Sequence, residues 1–323
     1  MSGSRTLRST VRSPPAAVRQ GTTAPGLDRL AKWRGYVQLT KPKVVALITF
    51  TSLAGTLLAS PALPRWNVLL WSTLGVALAS GCAASINHVI DRRIDAKMAR
   101  TCSRPLPAGL LTQRNALTLA AVLGATAMLI LGWLINVMTA TLTLLSLIGY
   151  AVIYTAWLKR ATPQNIVIGG AAGAAPPVLG WVSVTNSIDP NALILFLIIF
   201  LWTPPHFWAL AIARRDDYAR AGIPMLPVVH GVEYTQRRVL AYTILLALAT
   251  LVPFLIRMSG IIYLLAALVL NARFLYYALA LHLNGGKQLP MRVFKFSVSY
   301  LMWLFAALLI DHYLPTTQIQ AAS

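Results

Sequence analysis

The sequence predicts an all-α protein, a polytopic membrane helix bundle of about nine transmembrane helices, and three observations support this. Hydrophobic residues make up 57% of the 323 residues and charged residues only 11%, whereas soluble proteins average about 25% charged. Apolar stretches of about 20 residues, the length of a helix that crosses a bilayer, recur along the whole chain. These stretches do not alternate between apolar and polar residues, as the strands of a membrane barrel would.

The amino-terminal segment differs from the rest in composition. Residues 1–40 are rich in Arg, Ser, Thr and Pro and contain one acid, Asp28. They lack the apolar core of a secretory signal, although an organelle transit peptide would share their composition. We therefore expect a disordered basic cytoplasmic tail over 1–40, a membrane domain over 41–312 and a short extracytoplasmic tail over 313–323.

Nine apolar segments of the membrane domain are candidate spans. They cover residues 43–63, 67–90, 115–135, 137–158, 165–184, 191–213, 239–256, 259–282 and 294–310.

Lys and Arg residues predict how these spans are oriented. Of the 28 Lys and Arg residues, all but Arg65 and Arg257 fall in the amino-terminal tail or near the joins after spans two, four, six and eight. Positive residues concentrate on the cytoplasmic side of membrane proteins. We expect the amino terminus and these joins in the cytoplasm and the carboxyl terminus outside. A net charge of +20 distributed in this way does not predict a nucleic-acid partner.

The end of the second span carries a stripe of oxygen-bearing side chains. Asn87, Asp91 and Asp95 stand four residues apart, and on a helix each such step turns the side chain by about 40° and raises it by about 6 Å. The stripe suits Mg²⁺, which binds one or two carboxylates and keeps positions for water and substrate phosphate. Positive residues follow at once, namely Arg92, Arg93, Lys97, Arg100 and Arg104. A metal site beside such cations is typical of diphosphate chemistry.

The sixth span contains two prolines, Pro204 and Pro205, followed by His206. The prolines remove backbone donors and are expected to kink the helix. An intramembrane histidine is a functional candidate: His206 would ligate a metal or a haem iron, or bond a porphyrin propionate. The open alternative is that it satisfies the carbonyls that the prolines leave without a donor.

Two further groups of residues adjoin cytoplasmic joins. After span six, Asp217 is the preferred metal ligand over its neighbour Asp216, and Arg214 and Arg215 are either phosphate contacts or topology determinants. After span four, Lys159 and Arg160 have the same two interpretations.

A run of small residues, Gly169–Pro177, opens the fifth span. Small side chains allow close helix packing, which we favour, or leave room for a flat ligand.

Taken together, these residues resemble the UbiA-type intramembrane prenyltransferases, and most closely the branch that modifies haem. The resemblance covers about residues 36 to 312. The matching segments are Asn87-x-x-x-Asp91-x-x-x-Asp95, Arg100-Thr101-x-x-Arg104-Pro105-Leu106, Tyr154-Thr155-x-x-Leu158-Lys159-Arg160, Trp202-Thr203-Pro204-Pro205-His206-Phe207-Trp208-Ala209-Leu210 and Asp217-Tyr218-x-x-Ala221-Gly222-Ile223-Pro224-Met225-Leu226-Pro227. The segments over residues 202–210 and 217–227 narrow the resemblance to the branch of the family that modifies haem.

The resemblance implies a nine-helix bundle around a lipid-open cavity that binds farnesyl diphosphate and haem b. It implies transfer of the farnesyl group to the 2-vinyl group of haem b with addition of water, which gives haem O for haem-copper terminal oxidases. By the same resemblance, the metal ligands and catalytic residues are Asn87, Asp91, Asp95 and Asp217, with Lys159 also catalytic. The diphosphate contacts are Arg100, Arg104, Lys159, Arg160 and Arg214, and the haem-binding residue is His206.

One feature departs from the family pattern. Many members carry a second Asp-x-x-x-Asp after span six, whereas Ala213 and Ala221 stand four residues before and after Asp217. We therefore expect one firmly bound Mg²⁺ and a weaker second one at most.

Two other functions stay open at this stage. One is prenyl transfer to an aromatic quinone or chlorophyll precursor. The other is transport of an anionic lipid or haem, which is less favoured because transport sites lie near the bilayer midplane and the acids cluster at one face. The expected location is the bacterial inner membrane, with the mitochondrial inner membrane as the alternative. Membrane lipid, haem A synthase and terminal oxidase assembly are the expected partners.

Overall fold

A computed structural model describes residues 25–286 and 288–314. Its helices are α1 (Pro25–Leu39), α2 (Pro42–Leu58), α3 (Trp66–Asp95), α4 (Gln113–Ile135), α5 (Val137–Ala161), α6 (Asn165–Thr185), α7 (Pro190–Ala213), α8 (Arg215–Arg220), α9 (Leu226–Val229), α10 (Val232–Leu255), α11 (Ile261–Asn284) and α12 (Leu289–Tyr313).

Eight of these helices are long and apolar enough to cross a membrane, and a ninth span results if α1 and α2 are counted as one helix bent by 43°. The prediction of a membrane helix bundle is therefore confirmed. Two boundaries differ from the predicted ones. The first span ends at Leu58, and the seventh already begins at Val232.

The predicted disordered tail is wrong for residues 25–39, which form α1. Leu39 is fully buried and packs in a small cluster with Val89, Leu111 and Ala116, joined by Tyr36. The composition of the tail gives no sign of this packing, because the partner residues come from α3 and from the chain around the start of α4. Residues 1–24, and residues 315–323 of the predicted carboxyl-terminal tail, lie outside the described residues.

Side-chain caps account for where several helices begin. At the start of α4, Thr112 and Asn115 form a reciprocal capping box, and such a box satisfies backbone donors that the first turn leaves unpaired. Asn136 caps α5 by accepting a hydrogen bond from the Thr139 N–H at 2.7 Å. The same side chain donates to the Val182 carbonyl of α6 at 3.0 Å. The cap therefore also ties α5 to α6.

Two glycines let α2 and α6 cross in backbone contact. A Cβ atom built on Gly55 would lie 2.0 Å from the Pro177 carbonyl oxygen, and one on Gly180 would lie 1.9 Å from the Ser52 carbonyl oxygen. No larger residue fits without moving a helix. Membrane helices commonly use small residues in this way, because lipid gives apolar side chains little reason to associate.

The main hydrophobic core lies among α7, α10, α11 and α12. Its largest fully buried side chains are Trp208, Tyr263, Phe274, Tyr300 and Phe305. Helices α7 and α12 belong to this core, whereas α3 and α5 contribute buried polar residues.

Candidate functional site

The oxygen-rich stripe at the end of α3 is buried in the structure. Asn87, Asp91 and Asp95 are 4%, 2% and 4% exposed. The Asn87 side-chain amide donates to Asp91 Oδ2 at 3.0 Å, as the four-residue spacing predicts. Burial of two carboxylates is costly unless cations or donors compensate their charge.

Each member of the stripe meets a cation from a different part of the chain. Lys159 Nζ lies 2.5 Å from Asp91 Oδ2, and Arg104 Nη1 lies 2.9 Å and 2.7 Å from the two carboxylate oxygens of Asp95. Lys41 donates a hydrogen bond to Asn87 Oδ1. Two of the three, Arg104 and Lys159, are predicted site residues.

Lys41 is a site residue that the sequence analysis missed, because it counted this lysine only as a topology charge. It lies in the break between α1 and α2 with a left-handed backbone, φ 51° and ψ 61°. Burial lowers the pKa of its ammonium group to about 7, and the positive charges of Arg104 and Lys159 act in the same direction. The only sequence signal is a lysine placed directly before a proline at a span boundary.

A stretch of wider helix in α5 brings Thr155 and Lys159 to the stripe. Residues Gly149–Leu158 form a π-helix, in which Thr155 Oγ1 donates to the Tyr150 carbonyl five residues earlier at 2.8 Å. Thr155 Oγ1 also accepts from the Asn87 amide at 3.2 Å. Short π-helical stretches occur frequently at functional sites.

The stripe suits a hard cation. Its donors are carboxylate and amide oxygens, and Asp91 Oδ1 is buried with no hydrogen-bond partner among the described residues. An unpaired buried carboxylate oxygen needs a positive partner. In the described chain, however, no three acid, histidine or cysteine side chains gather closely enough to bind a metal. Asp217 therefore does not join Asp91 and Asp95 in one cluster.

Asp217 is the buried member of its aspartate pair, since Asp216 is exposed. It accepts a hydrogen bond from Arg220 one turn later in α8. Asp217 therefore stays the predicted metal ligand of the pair, and its ion pair with Arg220 was not predicted.

Tyr218 of α8 is half-buried, and its phenol lies among several charged side chains. Burial raises the pKa of its phenol, and the charges of Arg100, Arg104 and Arg214 oppose that rise while Asp217 adds to it. Arg100 and Arg104 follow α3, and Arg214 and Asp217 flank the start of α8. Three of the predicted diphosphate contacts thus act electrostatically on one hydroxyl group.

His206 lies in α7 against α12, and its ring is stacked between Trp202 and Phe294 with centroid distances of 4.3 Å and 4.6 Å. Its Nδ1 lies 2.7 Å from Ser297 Oγ. The alternative that His206 pairs with a carbonyl left open by Pro204 and Pro205 is therefore wrong.

Ser297 decides which nitrogen of His206 carries the proton. The Ser297 hydroxyl donates to the Phe294 carbonyl at 2.7 Å, and a hydroxyl has a single proton to give. Ser297 Oγ must then accept from Nδ1–H of His206, which leaves the Nε2 lone pair available for a ligand.

The small-residue run in α6 contains both a closely packed glycine and a glycine with open space. Gly169 lies under the Tyr154 ring, where an added Cβ would come within 2.1 Å of Cδ2. By contrast, Gly173 has open space around its Cβ position. Ala171 and Ala172 line an apolar pocket of about 330 Å³.

The chain is similar to known proteins over most of its length. The model of the UbiA prenyltransferase family matches residues 48–306. A curated protein of Marinobacter nauticus, named protoheme IX farnesyltransferase, is 55% identical over 281 residues, which are 87% of this chain and 93% of the relative. The protein of that name in Hahella chejuensis is 55% identical over 287 residues, 89% and 96% of the two chains.

Solved structures share the fold at lower identity. A digeranylgeranylglyceryl phosphate synthase matches with a TM-score of 0.73 and 20% identity over 87% of this chain and 98% of its own. A UbiA homologue from Archaeoglobus fulgidus, solved with DMAPP and Mg²⁺, matches with a TM-score of 0.57 and 17% identity over 84% and 98%.

Proposed function

The chain belongs to the UbiA prenyltransferase family, and we propose that it transfers the farnesyl group of farnesyl diphosphate to the 2-vinyl group of haem b. Water adds in the same reaction, and the product is haem O. The observation that carries this proposal is the buried Asn87, Asp91 and Asp95 stripe with its three cations, in a chain 55% identical to protoheme IX farnesyltransferases.

The cations of the stripe provide the groups that a departing diphosphate needs. As the bond between C1 of the farnesyl group and oxygen breaks, the electron pair leaves with the diphosphate. Lys159, Lys41 and Arg104 would then face growing negative charge in a site of low dielectric. Fixed positive groups in such a site stabilise the transition state without having to reorganise. Arg100 and Arg214 remain predicted contacts for the outer phosphate. Arg160, also predicted from the sequence as a diphosphate contact, lines a separate cleft instead.

Mg²⁺ fits the stripe, and a UbiA homologue solved with DMAPP and Mg²⁺ supports its use here. Asn87, Asp91 and Asp95 would hold the ion, and Asp217 would serve a weaker second one. When bound, Mg²⁺ neutralises charge on the leaving diphosphate. In the structure, Lys41 and Lys159 donate hydrogen bonds to side-chain oxygens of Asn87 and Asp91. When these oxygens bind the ion instead, the two ammonium groups would be free to contact the diphosphate.

Two further bonds form after the diphosphate has left. C1 of the farnesyl cation bonds to the terminal carbon of the vinyl group, which places positive charge on the carbon beside the porphyrin. Water adds at that carbon and loses a proton, which leaves a hydroxyl group. Exclusion of other water from the site would protect the first cation from early hydrolysis.

His206 is the proposed contact to haem. Its Nε2 lone pair suits haem iron, and Ser297 holds the ring in the required tautomer. An axial ligand on α7 would fix the porphyrin relative to α3 and α5, where the diphosphate binds.

We further propose that the protein lies in the bacterial inner membrane, with its amino terminus and active site on the cytoplasmic side. The distribution of Lys and Arg supports this orientation. Haem A synthase and terminal oxidase assembly stay predicted partners.

The test is an incubation of the protein in liposomes with haem b, farnesyl diphosphate and Mg²⁺, followed by mass spectrometry of the extracted haem. We expect haem heavier by one farnesyl group and one hydroxyl group. Chelation of Mg²⁺ should abolish the product, and Asp91→Asn should lower the rate by at least about 100-fold. Unmodified haem beside a prenylated aromatic acceptor in a parallel reaction would contradict the proposal and favour a quinone precursor as substrate.

A further inference from the structure

A cleft of about 570 Å³ lies beside the metal stripe, and no step described above uses it. It opens at the end of α3, the end of α5 and the turn between α8 and α9. Arg92, Arg93 and Arg160 line it together with the apolar residues Ile90, Ile94 and Ile223. The cleft thus combines three guanidinium groups with an apolar wall.

These arginines have no acidic partner in the part of the chain that the structure describes. The ion pairs there involve other cations. Arg92 Nη1 donates only to the Val89 carbonyl of its own helix at 3.0 Å, and Arg93 and Arg160 are exposed. By comparison, Arg104, Lys159 and Arg220 each pair with an aspartate. The cleft arginines are therefore available for an anion from outside the chain.

The cleft shares its helix ends with the reaction site. Arg92 follows Asp91 directly, and Arg160 follows Lys159. Lys159 binds the stripe, but Arg160 makes no hydrogen bond or ion pair with Asn87, Asp91 or Asp95 among the described contacts. A molecule in the cleft would therefore lie close to the diphosphate without competing for its ligands.

We propose that the cleft formed by Arg92, Arg93 and Arg160 binds the propionate groups of the porphyrin substrate. This inference rests on the proposed function, which brings a porphyrin to this site. Haem b has an apolar ring and two carboxylates at one edge. The cleft offers an apolar wall for the ring and guanidinium groups for the carboxylates. Arg binds carboxylates with two parallel hydrogen bonds.

The propionates fit the cleft better than the other anions at hand. The diphosphate has its own cations in Lys41, Arg104 and Lys159. Lipid phosphates also bind in basic pockets between membrane helices, and the experiment distinguishes this source from the propionates by comparing neutral with anionic lipid. A ligand that anchors its carboxylates here also gains orientation, because its vinyl edge is then directed away from the water.

The experiment compares haem b with its dimethyl ester, which keeps the ring and the vinyl groups but has no carboxylate charge. Both are titrated against wild type and the triple variant R92Q/R93Q/R160Q in nanodiscs of neutral lipid, and binding is read from the Soret band. We expect wild type to bind haem b roughly 100-fold more tightly than the ester, and the triple variant to bind both equally.

Two controls distinguish loss of the cleft from the general effects of removing an arginine or of unfolding the protein. Arg114→Gln removes an exposed arginine at the start of α4, outside the cleft, and should keep the preference for haem b. The affinity for farnesyl diphosphate should be the same in the triple variant as in wild type, which also shows that the variant is folded.

The binding measurement needs no turnover, so its failure differs from a failure of the proposed function. A triple variant that still prefers haem b to the ester would overturn the inference. Weakened binding of farnesyl diphosphate with the haem preference intact would also overturn it and return these arginines to the diphosphate. A preference that depends on them only in anionic lipid would assign the cleft to lipid headgroups.

Discussion

At the scale of single residues, Lys159 and Asp91 form the contact on which the proposed chemistry depends most directly. The ammonium group is largely buried, and its 2.5 Å contact joins α5 to α3. A charge held in a buried position acts more strongly on a nearby anion than the same charge in water. Arg104 acts on Asp95 in the same way, but its contact spans both oxygens and is more exposed.

Replacing Lys159 with methionine should lower kcat for haem O formation by about 100- to 1,000-fold, the usual cost of removing one group that stabilises transition-state charge. The KM for haem b should change little, because Lys159 does not face the proposed porphyrin contacts. Lys97→Met, at an exposed lysine just after α3, is the matched control. Steady-state kinetics at saturating Mg²⁺ would measure both, and equal rates in the two variants would contradict the role.

Ser297→Ala should weaken haem binding by about tenfold, because the His206 ring loses the partner that sets its tautomer and orientation. The Soret band of bound haem should shift as the axial contact changes, while the affinity for farnesyl diphosphate stays constant. Ser299→Ala, at an exposed serine on the same helix, should bind like wild type. An unchanged Soret band in Ser297→Ala would separate His206 from haem.

At the scale of helices, the close crossing of α2 and α6 depends on Gly55 and Gly180. Gly180→Ala places a Cβ atom against a backbone carbonyl that has no flexible end to move. We expect a loss of about 3 kcal/mol or more in stability, seen as a lower melting temperature in detergent. Gly173→Ala adds the same atom in open space in the same helix and should melt like wild type. Similar melting of the two variants would exclude the close crossing.

The start of α11 depends on a carboxylate from another helix. Asp311 of α12 is 1% exposed and accepts from the Ser259 hydroxyl at 2.9 Å and the Tyr263 N–H at 3.2 Å, as well as from the Gly260 N–H. A negative charge at a helix amino terminus is favourable, and it satisfies donors that the first turn leaves unpaired.

Asp311→Ala should therefore destabilise the protein by about 3 kcal/mol, because buried donors lose their acceptor. The reaction site lies at the carboxyl-terminal ends of α3 and α5, at the opposite end of the bundle from Asp311. The KM values of the folded fraction should therefore stay the same. Thermal melting together with kinetics at low temperature would separate the two effects. A changed KM for either substrate would show that α11 and the site are coupled.

At the scale of the whole molecule, the charge distribution predicts one orientation of the bundle in the membrane. The cations of the stripe and the cleft lie in the last turns of α3 and α5, in the loop after α3 or directly before α2, near the joins that the positive-inside rule assigns to the cytoplasm. The Asp311 cap and Arg257 belong to the opposite side. In the proposed orientation, the site faces the compartment in which the diphosphate substrate is soluble.

Two natural cysteines can test this orientation. Cys102 is exposed in the loop after α3, whereas Cys82 is buried within α3. A membrane-impermeant maleimide should label Cys102 in inverted vesicles and leave it unmodified in intact spheroplasts. Cys102→Ser should abolish the label. Labelling of Cys102 from the outside of spheroplasts would reverse the orientation and place the site on the extracytoplasmic side.

The sequence by itself determined the features that depend on neighbouring residues. Apolar length predicts the spans, Lys and Arg predict their orientation, and the four-residue spacing places Asn87, Asp91 and Asp95 on one face, where the structure has them buried. Each follows from local geometry or from the cost of moving charge through lipid.

Tertiary structure alone decided which groups meet. Lys41 reaches Asn87 across 46 positions of the chain, and Lys159 reaches Asp91 across 68. His206 meets Ser297 across 91. Such pairs form only after helices pack, because their geometry depends on crossings such as that of Gly55 and Gly180, and side-chain type gives no information on it. For the same reason, the arginine cleft and the helix over residues 25–39 were absent from the prediction: each gains its partners from segments that are distant in sequence.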